Sequence, residues 1–166
     1  MEDGALLIAG IGSLGCTWAK AAQSRVSEWT DLTLIDADNR SMDDARHANC
    51  LLLGESTTEV GCAGMPQLAE ARMRSLQPIA SHFLERAELV LLLTGLGGGS
   101  GSGASVEFAR QAVQSGCLVI SVAAMPFESQ SERQKIAEES KPPLKEVPIL
   151  TSLLSLSFVD LYKRSK

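Results

Sequence analysis

Seven consecutive positions, Gly97-Gly98-Gly99-Ser100-Gly101-Ser102-Gly103, hold five glycines and two serines. The run follows an apolar stretch, Leu89 to Thr94, and precedes Ala104 to Gln114, which has helical patterning. A flexible linker does not separate a buried strand from an amphipathic helix inside a compact chain. Strand, glycine loop and helix in that order are the layout of an anion cradle. Glycine lets backbone N–H groups approach phosphate oxygens, and the helix N-terminus adds a favourable dipole. No Walker lysine closes the run, so phosphate charge would be met by amides, helix dipoles and Mg2+.

Alternation along the chain sets the fold class. Ala5 to Ala9, Leu32 to Ile35, Cys50 to Leu53, Leu89 to Thr94 and Cys117 to Val122 are short apolar runs that read as buried strands. Helical patterns fall between them: Cys16 to Val26, a short stretch from Ser41 to His47, Pro66 to about Leu76, Ile79 to Arg86 and Ala104 to Gln114. Ser131 to Ser140 reads as a further helix, ended by Lys141-Pro142-Pro143. Val147 to Leu150 is a weak last strand, and Ser152 to Tyr162 a C-terminal helix with Leu153, Leu154, Phe158 and Leu161 as its stripe. The expected architecture is α/β, a Rossmann-like parallel sheet with helices on both faces. Three glycine loops follow strands one, three and four, and would meet at the carboxyl edge of the sheet.

A chain of 166 residues, 45% hydrophobic, suffices for one domain with a real core. Its formal net charge of −5, with scattered basic residues, argues against nucleic acid as a partner. No apolar run reaches the roughly 20 residues of a membrane span. The acidic start, Met1-Glu2-Asp3-Gly4, has the wrong charge for a signal peptide, so a cytoplasmic location is expected. Cys16, Cys50, Cys62 and Cys117 show no metal or disulfide spacing; Cys50 and Cys117 read as small core residues. No catalytic side chain and no metal ligand stands out.

Gly10-Ile11-Gly12-Ser13-Leu14-Gly15 follows the first strand as a dinucleotide fingerprint should, and Asp36 stands twenty-one residues after Gly15. By itself this half fits a Rossmann dehydrogenase or an adenylating enzyme, with Arg40 and Arg46 at hand, but neither accounts for Gly97 to Gly103. A scaffold that has lost its nucleotide is a third reading.

The run from Thr94 to Gly103 resembles the signature loop of the FtsZ/tubulin superfamily, with Ser100 and Ser102 where FtsZ usually has threonine. Gly10 to Gly15 with Cys16-Thr17 is similar to the family's first loop, Thr17 replacing an asparagine. Asp36-Ala37-Asp38 keeps the last aspartate of the second loop. Gly61-Cys62-Ala63-Gly64-Met65-Pro66-Gln67 is similar to the third loop, without its Asn and Glu. Pro126-Phe127-Glu128, with Arg133 downstream, resembles the segment after strand five.

The resemblance implies GTP or GDP, with Mg2+, on Gly10, Gly12, Ser13, Gly15, Cys16, Asp38, Gly61, Gly64, Gly97 to Gly103, Pro126, Glu128 and Arg133. Glu128 would bond the ribose and Arg133 would lie near the sugar or base. The guanine-reading Asn has no counterpart in Val147 to Ser152, and the family's second domain and its acidic loop are not represented. The implied protein is a single nucleotide-binding domain with weak or no GTP hydrolysis alone, pairing with itself or with a longer FtsZ-like homologue in cytoskeletal or cell-division work.

Overall fold

The computed structural model describes residues 5–26, 30–43, 45, 48–54 and 62–155. Six strands form one parallel sheet: β1 (Leu6–Ile11), β2 (Thr30–Asp36), β3 (Asn49–Leu52), β4 (Leu89–Gly95), β5 (Leu118–Met125) and β6 (Leu150–Ser155), in the order β3-β2-β1-β4-β5-β6. The chain leaves β1 in one direction across the sheet and returns past it in the other. Right-handed crossovers then put α1 (Gly12–Gln23) on one face and α2 (Pro66–Ser75), α3 (Gln77–Leu84), α4 (Ser105–Gln114) and α5 (Ser131–Glu146) on the opposite face.

The strand period of two divides β1 between two cores. Leu7, Ala9 and Ile11 enter the larger core with Met73, Leu84 and Phe108, whereas Ile8 joins Cys16, Ala19, Leu32 and Leu34 beneath α1. Helices α2 and α4 are also joined by ion pairs from Arg110 to Glu70 (2.8 Å) and from Arg74 to Glu107 (3.4 Å). Among the described residues no helix is long and apolar enough to cross a membrane.

The expected sheet and its two helical faces are present, and several elements differ in extent. Helix α1 starts at Gly12, four residues before the expected Cys16, so the first glycine loop is the first turn of a helix. At the start of the stretch expected to be helical from Ser41 to His47, one 3-10 turn, Asn39–Ser41, ends, and the described Met42, Asp43 and Ala45 are not helical; Asp44, Arg46 and His47 lie outside the described residues.

Helix α5 runs through Pro142 and Pro143 to Glu146. The prolines remove the N–H bonds to the carbonyls of Glu138 and Glu139, both on exposed residues that solvent can reach, while buried Leu144 and Val147 anchor the continuation.

The largest correction is at the C-terminal side. Leu150–Ser155 is a strand, paired in parallel with β5 from Ile120↔Leu150 to Met125↔Ser155, where a helix from Ser152 was expected. Phe158, Leu161 and the rest of that expected helix lie outside the described residues. Cys117 is buried as expected, but Cys50 is exposed on edge strand β3 and is no core residue.

Candidate functional site at the carboxyl edge

The strand order reverses between β1 and β4, and the loops after these strands part there to leave a crevice. A cleft of about 500 Å³ occupies it. One wall is the first turn of α1 together with the glycine run. The facing wall is the end of β5 and the start of α5, from Ala124 to Arg133.

The glycine wall is locked by its own hydroxyls. Thr94 Oγ1 lies 3.1 Å from the carbonyl oxygen of Ile11 and 2.9 Å from that of Gly101, so one side chain ties the two loops together. Ser105 Oγ donates to the Gly101 carbonyl at 2.6 Å, and the Gly97 N–H donates to Ser102 Oγ at 2.9 Å. Residues Ser100–Ala104 form a π-helical turn that runs into α4. The Ser102 N–H donates to the Gly98 carbonyl at 3.2 Å, and a helix start leaves other first-turn N–H groups without a carbonyl of their own helix.

The glycines serve two purposes. A Cβ on Gly101 would run into the Gly95 carbonyl, and one on Gly103 into the Pro66 carbonyl, both well inside 3.0 Å. Gly98 is different: a Cβ there meets nothing within 4 Å, and the residue lines the cleft. Gly12 needs glycine for its backbone, with φ +74°.

At the other end of the glycine wall, Asp36 is 3% exposed and fully engaged. Its Oδ2 accepts from Ser13 Oγ (2.9 Å) and Ser41 Oγ (2.7 Å), and its Oδ1 from the Ala37 N–H (2.7 Å). The carboxylate therefore fastens α1 to the end of β2. Asp38 is held by Arg40, with Nη2 to Oδ2 at 2.7 Å, and this guanidinium keeps the carboxyl below the usual carboxylate range.

Of the residues expected at the site, Gly12, Ser13, Asp38, Gly98, Gly99 and Ser100 line the cleft, as do Gly101, Pro126 and Arg133. Gly10, Gly15 and Gly103 sit behind the wall as packing positions. Gly97 is wedged against Pro126 and Arg133, and Ser102 points inward, 1% exposed. Cys16 is buried behind the first loop, its thiol pushed up to about 11 by burial, with the charge of Asp36 adding to the effect. Gly64 and exposed Glu128 do not line the wall, and Gly61 lies outside the described residues.

Gln130, at the N-cap of α5, stands on the wall where Glu128 was expected to reach. The sequence carries no local signal for it. Leu14, Asp36, Gly95, Leu96, Ala124, Met125 and Phe127 complete the lining that sequence reasoning left out of the site.

A doubly wound parallel sheet with a glycine-walled cleft at its switch point is the class of open α/β fold that holds ligands at the carboxyl ends of its strands. The comparisons carry this to a family. The family model for the GTPase domain of the Tubulin/FtsZ family matches residues 8–153. The chain is 28% identical over 145 residues to cell division protein FtsZ 2 of Halobacterium salinarum, covering 87% of this chain and 37% of that one. It is 28% identical over 142 residues to FtsZ 1 of Archaeoglobus fulgidus, covering 84% and 39%.

Among solved structures, an empty FtsZ dimer from M. jannaschii superposes with a TM-score of 0.82 at 22% identity, covering 96% of this chain and 46% of that one. CetZ from Methanosaeta thermophila superposes at 0.77 with 14% identity, covering 96% and 49%. The chain belongs to the Tubulin/FtsZ family, within its GTPase domain. It spans under half the length of these relatives.

Proposed function

We propose that the cleft binds a guanine nucleotide, GTP or GDP, with its phosphates on the glycine wall and its sugar and base toward Gln130 and Arg133. The observation that carries this reading is Gly98. The glycines at 97, 99, 101 and 103 are required by packing whether or not a ligand is bound. A Cβ on Gly98 would meet nothing, and the residue lines the cleft beside the start of the turn that leads into α4, the kind of helix start that favours an anion.

The carboxylates on the cleft wall are Asp36 and Asp38, and both are held by protein partners. Neither is free to orient an attacking water, so the domain alone hydrolyses GTP slowly or not at all. Among the described residues no group of three or more His, Cys, Asp or Glu is placed to hold a metal ion, and Mg2+ would be held through phosphate oxygens and water. The chain's two asparagines, Asn39 and Asn49, are not on the cleft wall. Base preference then falls to Gln130 and Arg133, whose amide and guanidinium suit a purine edge. Pairing with a second copy or with a longer FtsZ-like chain, and work in division or cytoskeletal assembly, belong to the same proposal and follow from the family alone.

The test is the nucleotide content of the purified protein after denaturation, followed by titration with fluorescent GTP and ATP in Mg2+. Bound guanine nucleotide or a clear GTP preference supports the reading; binding of neither leaves a scaffold. Gly98→Leu is the deciding variant, because its Cβ meets nothing within 4 Å and the residue lines the cleft. It is expected to abolish binding and leave the melting temperature in place.

A further inference from the structure

The tie between α1 and the end of β2 needs hydrogen bonds, not a charge, yet a carboxylate makes it. Asp36 Oδ2 takes the Ser13 and Ser41 hydroxyls, and Oδ1 takes the Ala37 N–H, so its partners are three neutral donors. Among the described residues no lysine or arginine donates to it. Lys20 gives its ammonium to the carbonyl oxygens of Ser41 (3.0 Å) and Asp43 (3.2 Å) instead. Asp38, two residues on, differs, because Arg40 Nη2 lies 2.7 Å from its Oδ2 and neutralises it. Both carboxylates line the cleft, and Arg133, the cation on the described lining, belongs to the facing wall. Asp36 therefore leaves a net negative charge beside the first turn of α1, in the wall assigned to the phosphates. With 3% of the residue exposed, solvent screens that charge little, and its field reaches into the cleft.

Ser13 carries the effect to the surface. The residue is exposed and lines the cleft, and its hydroxyl has one proton, which goes to Asp36 at 2.9 Å. Toward the cleft the oxygen then shows lone pairs, which repel a phosphate oxygen. With that proton free, a serine in a first helical turn could donate to a bound anion. We propose that Asp36 sets the phosphate-charge preference of the cleft: by its own charge, and by holding the Ser13 proton inward, it penalises each added phosphate charge and so shifts the site from guanosine triphosphate toward diphosphate. This rests on the guanine-nucleotide reading above. Asp36 acts here as a specificity residue, partly through the position it imposes on Ser13.

Calorimetric titration of the full chain with GDP and GTP in a chelator tests this, with thermal unfolding of each variant alongside. The chelator keeps divalent cations from masking the phosphate charge. Asp36→Asn keeps the size of the side chain and removes its charge. It is expected to tighten both nucleotides, GTP severalfold more than GDP. Adding Ser13→Ala to Asp36→Asn should remove part of that gain, because the released proton leaves with the hydroxyl. A loosened tie between α1 and β2 would instead weaken both nucleotides alike, so the GTP-to-GDP ratio separates charge from structure. If Asp36→Asn shows no cooperative melting, the parent protein decides. The γ-methyl ester of GTP, with one charge fewer on the same phosphate chain, is then expected to bind it more tightly than GTP does. A ratio unchanged by Asp36→Asn, or in that second arm an ester no tighter than GTP, overturns the proposal and leaves the nucleotide reading standing. Binding of neither nucleotide to parent or variant overturns both.

Discussion

The two walls of the cleft hold their shape by different means. On the glycine wall nearly every polar side chain is turned into the protein: Thr94, Ser102 and Ser105 bond backbone within the loop, and Asp36 collects two hydroxyls and an amide. What this wall offers a ligand is backbone. On the β5–α5 wall, Gln130 and Arg133 are exposed side chains, and the described anchor is the Gln134 amide bonding the Pro126 carbonyl. A backbone wall is set by chain path and packing, so it is hard to alter without unfolding. A side-chain wall can change its preference one residue at a time.

The sharpest way to break this contrast is to add atoms to the glycine wall. Gly101→Ala drives a methyl into the Gly95 carbonyl and should cost at least about 3 kcal/mol, or near 10 °C in Tm. Thermal unfolding checks it, and a variant as stable as the parent would mean that the wall yields. Gly98→Leu, three residues away, separates ligand from fold: Tm unchanged, nucleotide affinity down by more than about tenfold. Ser102→Ala leaves the buried Gly97 N–H without its acceptor and should cost about 1–3 kcal/mol, again read from Tm.

On the other wall, Arg133→Ala and Gln130→Ala should weaken nucleotide binding severalfold and shift the GTP-to-ATP ratio, with no movement in Tm. The smallest effect concerns pH. Because Arg40 lowers the Asp38 pKa in the folded state, their pair supports folding above the ordinary carboxylate pKa, and that support fades as pH falls through the lowered value. Arg40→Ala should raise the Asp38 pKa toward the ordinary value in an NMR titration and barely change stability, since both groups are exposed.

The same contrast explains what could be read from the chain before its structure. The alternation of apolar runs and helical patterns was enough to place the parallel sheet, because buried strands need no partner to be recognised. The glycine run was legible as a wall for the same reason. Its individual glycines were not: whether position 98 or 101 faces a ligand depends on Gly95, which the chain brings alongside only when folded. The start of α1 was hidden because glycine reads as loop, yet Gly15 is wanted inside the helix where the Leu93 carbonyl comes too close for a side chain.

Strand β6 was hidden by its leucine spacing, which suits a helix equally well; pairing to β5 decides it. Gln130 carries no pattern at all. The expectation fell on Glu128, two residues earlier, and only the turn before α5 shows which of the two meets the cleft.

One more consequence follows from the way the glycine run is seated. Gly99 lies against Cys62 and Met65, Gly103 against Pro66, and Gly97 against Pro126 and Arg133. These are seams of main chain on its neighbours, and much of their length has no side chain that could rotate aside. The run is therefore mechanically shared: a push on it is delivered to residues 62–66 on one flank and to the start of α5 on the other. Size added at 62 or 66 must be answered across the seam, so these distant stretches of chain are free to vary only together.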